Sequence, residues 1–394
     1  MSEKKKALML ASVASMIDQF NMDNIRILQE LGYSVDVVAD FVDGGTITTE
    51  RIENLKMRLS DMGVEVFHVA IPRNITNMKG IFRSYAEVKK LCEEKHYRLV
   101  HCHSPIGGVV ARMAARKERK NGTRVIYTAH GFHFFKGAPL KNWLLFYPVE
   151  KFCSLFTDTL ITINAEDFER AKKKFHAKET VYVPGVGVDT GKFKSGLINV
   201  QEKRDELGVY DDEILLLSVG ELSERKNHEV VIRALKSVDN DKIRYFIVGK
   251  GSLENHLVNL INELNLGEKV KLLGYRTDVS ELCQAADMFV FPSHQEGLPV
   301  ALMEAIACGI PVVCSKIRGN EDLILESEDL FDQTNVNDVE KCLNRVLKNK
   351  KRQDIQEDFR NKIEANYRHL QSFDLHSVNQ EMIEMYGCGA DCSG

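Results

Sequence analysis

The sequence predicts an α/β fold of two tandem domains, each a parallel sheet with helices on both faces. Short β-branched runs alternate with helix-length amphipathic segments almost throughout, a rhythm that requires crossover helices between parallel strands. At 394 residues the chain is longer than one hydrophobic core usually serves. The rhythm also breaks once, in a charged and poorly patterned stretch at 189–212, and then resumes.

The first set of strands is expected in "ALMLASV", "SVDVVAD", "VEVFHVA", "RLVHCH", "RVIYTAH", "TLITIN" and "TVYVPG", and the second in "ILLLSVG", "IRYFIVG", "KVKLLG", "MFVFPS" and "PVVCSKI". Each is short and mostly apolar, as a strand covered on both faces should be. The implied organisation is a first domain at 1–188, a linker at 189–212, a second domain at 213–370, and a terminal helix and tail at 371–394 that cross back to the first domain. The segment at 335–386 reads as helical and polar. The opening "KKKALMLASVAS" has the basic, apolar, small order of a secretory signal, but "GYSVDVVAD" follows it as a second strand would. Lys6–Val13 is therefore read as a first buried strand.

Charge is uneven. Through residue 190 the chain carries 28 Lys and Arg against 22 Asp and Glu, and beyond it 25 against 35. The first half is the better candidate for an anionic surface, and no nucleic-acid partner is expected. No run approaches the ~18 apolar residues of a membrane span. Nine cysteines, mostly inside apolar runs and without a Cys-x2-Cys pair, read as buried thiols of a reducing cytosol. The terminal "CGADC" reads as a tail rather than a metal site.

In sheets of this kind ligands lie beyond the carboxyl ends of the strands. His103, His130, Gly185, Gly220, Gly249, Gly274 and the loop "SHQEGLP" take those positions. The loop runs into "VALMEAIACGIP", a helix that reads as buried all round, with Glu304 its one charged residue. Pro299 suits its first position, and Gly297 and Leu298 offer free N–H groups just ahead. Glu304 tilts back toward the helix start and Glu296 lies in the loop, so the two carboxylates stand on the order of 10 Å apart around one positive helix end. A buried carboxylate without partners is costly. Glu304 is explained either by an internal ion pair or a raised pKa, or by a polyhydroxylated ligand with an anion at the helix N-terminus.

Arg225 and Lys226 precede a helix that opens near Asn227. Two cations beside a helix start suit a diphosphate, each charge-assisted bond being worth about 1.5–3 kcal/mol, and they equally suit a solvated helix end. His101, His103, His130 and His133 could gather as a zinc cluster, but no nearby Asp or Cys completes a ligand set, and no metal is expected. Asp239-Asn240-Asp241 precedes its strand, on the wrong edge of the sheet for a metal at the ligand site. The aromatic stretch 131–152, with Trp143, Phe134, Phe135, Phe146 and Tyr147 beside Lys136, Lys141 and Lys151, is either a core helix or a surface that settles on an anionic bilayer.

"EGLPVALMEAIACGIPVV" resembles the Glu-x7-Glu signature of glycosyltransferase family 4, the retaining GT-B enzymes, whose two tandem Rossmann-like domains face across a cleft. "VGELSERKNHEVV" is similar to the family's Gly-x-Leu…Lys segment, "IVGKGSLE" and "LLGYRTDV" to the loops that cradle its nucleobase, and the "HG" pair at His130 to its active-site His. The resemblance implies metal-independent, cofactor-free transfer of a sugar from a nucleotide diphosphate sugar, UDP-hexose or UDP-N-acetylhexosamine being favoured. It assigns Glu304 to the ribose hydroxyls, Glu296 to the transferred sugar, His130 to the neighbourhood of the sugar and phosphate, and Arg225 and Lys226 to the departing diphosphate. Gly220, Gly249, Arg276, Gly297 and Leu298 complete the implied donor site.

The likeness is strongest in 124–190 and 214–318 and is to bacterial exopolysaccharide and capsule transferases. It implies an undecaprenyl-type lipid-linked glycan as acceptor and a cytoplasmic protein, peripheral on the inner leaflet of the membrane. One feature departs from the family. Its first strand usually leads to a Gly-Gly loop, and here the turn is "SVASMIDQF", which suggests an altered acceptor mouth. Two alternatives stay open, a nucleotide-sugar epimerase of the same fold and a non-catalytic donor-binding subunit of a two-chain transferase.

Overall fold

The computed structural model describes residues 5–193, 196, 198–349 and 356–387, so the terminal "CGADC" motif lies outside the described residues. The chain divides into two compact units, Met1–Val186 with Val378–Gly394, and Gly187–Ser377.

In the first unit seven strands, β1 (Lys6–Val13), β2 (Ser34–Asp40), β3 (Glu65–His68), β4 (Leu99–His103), β5 (Arg124–Ala129), β6 (Thr159–Thr162) and β7 (Glu179–Tyr182), form a parallel sheet in the order β3-β2-β1-β4-β5-β6-β7. The segment with signal-like composition is a central strand, β1, paired on one side with β2 and on the other with β4. Its side chains alternate between two cores. Leu8 and Leu10 pack with Val88, Leu91 and Val110, while Met9 and Ala11 pack with Ile25, Leu28 and Leu55. Strand order reverses between β1 and β4, the kind of switch point at which such sheets bind ligands.

β1 leads straight into the helix Ala14–Phe20, and two serines occupy the turn. Ser12 Oγ accepts from the Gly107 N–H at 3.0 Å, and the Ser15 N–H donates to Gly44 O at 3.0 Å. The loop after β2 approaches Ser15 only because Gly45 is bare: at its φ of +82°, a Cβ would stand 2.5 Å from Ser15 Oγ.

In the second unit six strands, β8 (Ile214–Val219), β9 (Ile243–Val248), β10 (Val270–Gly274), β11 (Met288–Phe291), β12 (Val312–Ser315) and β13 (Leu330–Phe331), form a parallel sheet in the order β10-β9-β8-β11-β12-β13. Its switch point lies between β8 and β11. β13 is two residues long and carries no sequence signal of its own.

The segment at 335–386 is helical, in Val336–Asn349, Gln356–Leu370 and Leu375–Gly387, but the expectation that it is polar is corrected. Val339, Leu343, Val346 and Leu347 enter the core of the second unit, and Val378, Met382, Met385 and Tyr386 that of the first. Apolar residues three and four apart gather on one face while charged neighbours dominate the composition. Tyr386 OH lies 2.7 Å from His101 Nδ1, and Arg124 donates to Met385 O at 2.7 Å.

Candidate active site

β8 is followed by a tight 3-10 turn, Glu224–Lys226, that carries both cations ahead of the helix His228–Leu235. Asn227 links turn and helix in the left-handed region, at φ 53°, and its amide donates to Pro292 O at 3.2 Å and Gln333 O at 3.0 Å. That tie draws the loop after β11 onto the turn, where the His294 N–H donates to Arg225 O at 2.8 Å. Glu296 is thereby held between the two cations, its Oε1 accepting from Lys226 Nζ at 2.8 Å and Arg225 Nη1 at 2.9 Å.

Two glycines make room for this arrangement. The stem of Lys226 crosses Gly220, where a Cβ would stand 3.1 Å from Lys226 Cδ, and a Cβ on Gly249 would fall 1.9 Å from Gly220 O. The ammonium lies 4.6 Å from the centre of the Phe291 ring. Burial pushes the Lys226 pKa down, with Glu296 opposing the shift. Two positive side chains share one carboxylate here, so the cluster keeps an excess of positive charge that a further anion can meet. Arg318, which the sequence reading missed, is buried in the turn after β12 and donates to Glu296 O at 3.3 Å. Its place just after a strand was the signal that could have found it.

The helix Val300–Ala307 starts one residue later than expected. Pro299 caps it from an extended conformation, φ −83° and ψ 111°, instead of opening it. The N–H groups of Gly297, Leu298, Val300 and Ala301 find no acceptor among the described residues. Nor is the helix buried all round. Val300, Ala301 and Glu304 share a partly open face, so Glu304 is half-buried. Its carboxylate has no hydrogen bond or ion pair with a described residue, and burial raises its pKa to about 7 against the opposing charge of Lys192.

Arg276 is not brought to this cluster. Its guanidinium donates to Asp278 Oδ1 at 2.8 Å and Glu206 Oε1 at 2.7 Å, in a network that Lys203 joins through Glu206, Asp278 and Glu281. Arg276 in turn drives the Asp278 pKa down.

In the first unit His130 follows β5 and His103 ends β4, with His130 Nε2 3.0 Å from His103 Nδ1. His101 Nε2 bonds Thr128 Oγ1 at 2.8 Å. Burial lowers the pKa of His101 to about 3 and of His130 to about 4, which leaves both rings neutral at pH 7. Among the described residues no group of three or more His, Cys, Asp or Glu is placed to hold a metal.

The aromatic segment is sorted by the helix Leu140–Ser154. Trp143 and Tyr147 pack inward against the fully buried Phe134, Tyr147 edge-on, so these two rings are not the outer surface. The outward stripe is Leu140, Leu144, Leu145, Val149 and Phe152, all exposed, with Lys141 on the same helix and Arg116 beside its end, over the Phe156 ring. Glu150 faces in, bound to the buried Arg112 at 2.8 Å. Among the described residues no helix is long and apolar enough to cross a membrane.

Residues 21–192 match the model of Glycosyltransferase Family 4, and residues 199–365 that of the Glycosyl transferases group 1. The chain is 36% identical to the putative glycosyltransferase EpsD of Bacillus subtilis (strain 168) over 83% of each chain. It is 32% identical to a UDP-Gal:alpha-D-GlcNAc-diphosphoundecaprenol alpha-1,3-galactosyltransferase of Escherichia coli over 73% of this chain and 75% of that one. Among solved structures, Anabaena HepE in complex with UDP superposes with a TM-score of 0.75 at 21% identity, covering 97% of this chain and all of the other. The two parallel sheets are those of a GT-B glycosyltransferase, and the chain belongs to glycosyltransferase family 4.

Proposed function

We propose that the protein is a retaining, metal-independent transferase that moves a hexosyl or N-acetylhexosaminyl group from a uridine diphosphate sugar to an undecaprenyl-type lipid-linked glycan, in the synthesis of an exopolysaccharide or capsule. The observation that carries this reading is the cluster of Arg225, Lys226 and Glu296, whose two cations share one carboxylate and so have charge left for a diphosphate. The acceptor class is supported by the relative from Escherichia coli, whose name specifies a diphosphoundecaprenol acceptor.

In this reading Arg225, Lys226 and the N–H groups at Gly297 and Leu298 take the leaving diphosphate, Glu304 takes the ribose hydroxyls, and Glu296 and His130 contact the sugar. Gly220 and Gly249 act through backbone packing. The exposed leucine stripe with its basic neighbours settles on the anionic inner leaflet, where a lipid-linked acceptor is found. The test is incubation with a panel of sugar nucleotides, with and without lipid-linked glycan extract. A new glycolipid formed in EDTA, with the anomeric configuration of the donor, is expected. A free isomer formed without acceptor would indicate an epimerase, and binding without turnover a donor-binding subunit.

A further inference from the structure

Two residues from neighbouring strands, Met9 on β1 and His103 on β4, set the hydrogen positions on His130. Met9, in the middle of β1, is fully buried, and its sulfur lies 3.2 Å from Nε2 of His103, itself buried at the end of β4. A thioether has no proton to give, so the contact is a hydrogen bond only if His103 carries its proton on Nε2. Neutral His103 then has a bare Nδ1, which faces His130 Nε2 at 3.0 Å. His130 must supply the proton of that bond, and its own Nδ1 is left without one. No described residue donates to that nitrogen. The opposite assignment keeps a bond between the rings, with His103 Nδ1 donating to a bare His130 Nε2, but it sets the bare Nε2 of buried His103 against a sulfur that has no proton to give.

We infer that Met9 and His103 are positioning residues that lock His130 as a hydrogen-bond acceptor at Nδ1, so that it takes a hydroxyl and not an anionic oxygen of its ligand. An alcohol brings the proton such a nitrogen lacks. A phosphate oxygen brings only lone pairs and is refused. Both rings stay neutral because burial lowers their pKa, that of His103 well below its ordinary value. The choice of a sugar hydroxyl as the partner rests on the transferase reading, whereas the tautomer does not.

The tautomer is read directly from long-range proton–nitrogen correlation spectra of the full chain labelled with 15N-histidine, near pH 7.5, with His103→Asn and His130→Asn used to assign the rings. Both His103 and His130 are expected to be protonated on Nε2 and bare at Nδ1. A His130 protonated on Nδ1, or on both nitrogens, overturns the inference. Met9→Leu, which removes the acceptor at nearly constant volume, is expected to bring in an Nδ1-protonated population of His130 and to lower sugar transfer about tenfold, the size of one neutral hydrogen bond. An unchanged tautomer in that variant also overturns it. His103→Asn offers a carbonyl where Nδ1 stood and should keep transfer within about threefold, while His103→Leu should lose about tenfold. Equal losses in the two would mean that His103 is only structural. If the wild-type rings have the expected tautomers while no sugar nucleotide is turned over, the transferase reading fails and the lock on His130 stands.

Discussion

Lys226 and Glu296, 70 residues apart in the chain, meet at 2.8 Å from Nζ to Oε1, and Arg225 reaches the same oxygen at 2.9 Å. The carboxylate sits where the two cations converge and is shared between them. If those cations hold the leaving diphosphate, Lys226→Ala and Arg225→Ala each lower turnover about 100-fold or more, the effect of removing one preorganised stabiliser. Glu296→Gln separates binding from chemistry: it frees both cations, so UDP binds at least as tightly while transfer falls. Steady-state kinetics and calorimetric titration check the set. Near wild-type turnover in both alanine variants would remove the diphosphate assignment.

Chelation is expected to leave transfer intact. Two cations and a helix start with open N–H groups already supply positive charge, and among the described residues no acidic or imidazole cluster is placed to hold a metal. Dialysis against EDTA followed by an activity assay decides it, and loss of activity that magnesium or manganese restores would contradict the expectation.

Glu304→Gln should melt above the parent at pH 8. The folded carboxyl titrates near 7 because burial raises its pKa, so its contribution to stability is complete below the ordinary value of 4.5 and is lost as pH climbs through about 7. The advantage of the variant therefore shrinks on acidification toward pH 5. The same variant should bind UDP more weakly by about 1.5–3 kcal/mol, the range for a hydrogen bond to a charged group. A variant that melts many degrees lower at pH 8 and binds UDP unchanged would make Glu304 a structural residue.

The imidazoles act in the opposite sense. Loss of hydration lowers the pKa values of the buried His101, the partly buried His130 and the buried His228 to about 3, 4 and 4, against an ordinary 6.5. Their contribution to stability is present above 6.5 and is lost as pH falls toward 4, because the unfolded chain takes up the protons first. With His103, whose pKa is likewise lowered by burial, these groups outweigh the carboxyl of Glu304. The melting temperature should therefore fall from pH 7 to pH 5, and a flat or rising profile would refute this.

Leu144 and Leu145 on the exposed stripe give a handle on the bilayer. Replacing both by Glu should lower cosedimentation with anionic vesicles by more than about 100-fold, since about 1.5–3 kcal/mol is lost for each leucine buried. Transfer to a short, water-soluble acceptor should be unaffected by the change. Unaltered vesicle binding would remove the leucines from the contact.

The two-sheet fold was legible because its longer strands are covered on both faces and appear as unbroken β-branched runs. β13 was not, since two residues give no periodicity, and the segment at 335–386 misled because its charged face outnumbers its buried one. At the site, the cations were visible as neighbours in sequence, whereas their partnership with Glu296 depends on a loop pinned by Asn227 across 65 residues, which no local pattern encodes. Arg276 looked available because its acidic partner Glu206 lies 70 residues away. The lone charge of Glu304 drew notice on composition alone, but only the folded helix shows that Val300 and Ala301 leave its face partly open.

The last helix has a consequence for how the protein is made. From Val378 onward it belongs to the first unit, where Tyr386 bonds His101 in the middle of the sheet. During synthesis the strands of that unit leave the ribosome first, yet the piece that closes their core comes only after Gly187–Ser377 has been translated. At about 5–20 residues per second the delay is roughly 10–40 s. Through that interval the apolar side chains that Val378, Met382 and Met385 later join in the core stay uncovered, so the nascent first unit is a natural client for a chaperone, and a stop codon just before Val378 should harm the unit farthest from it in sequence.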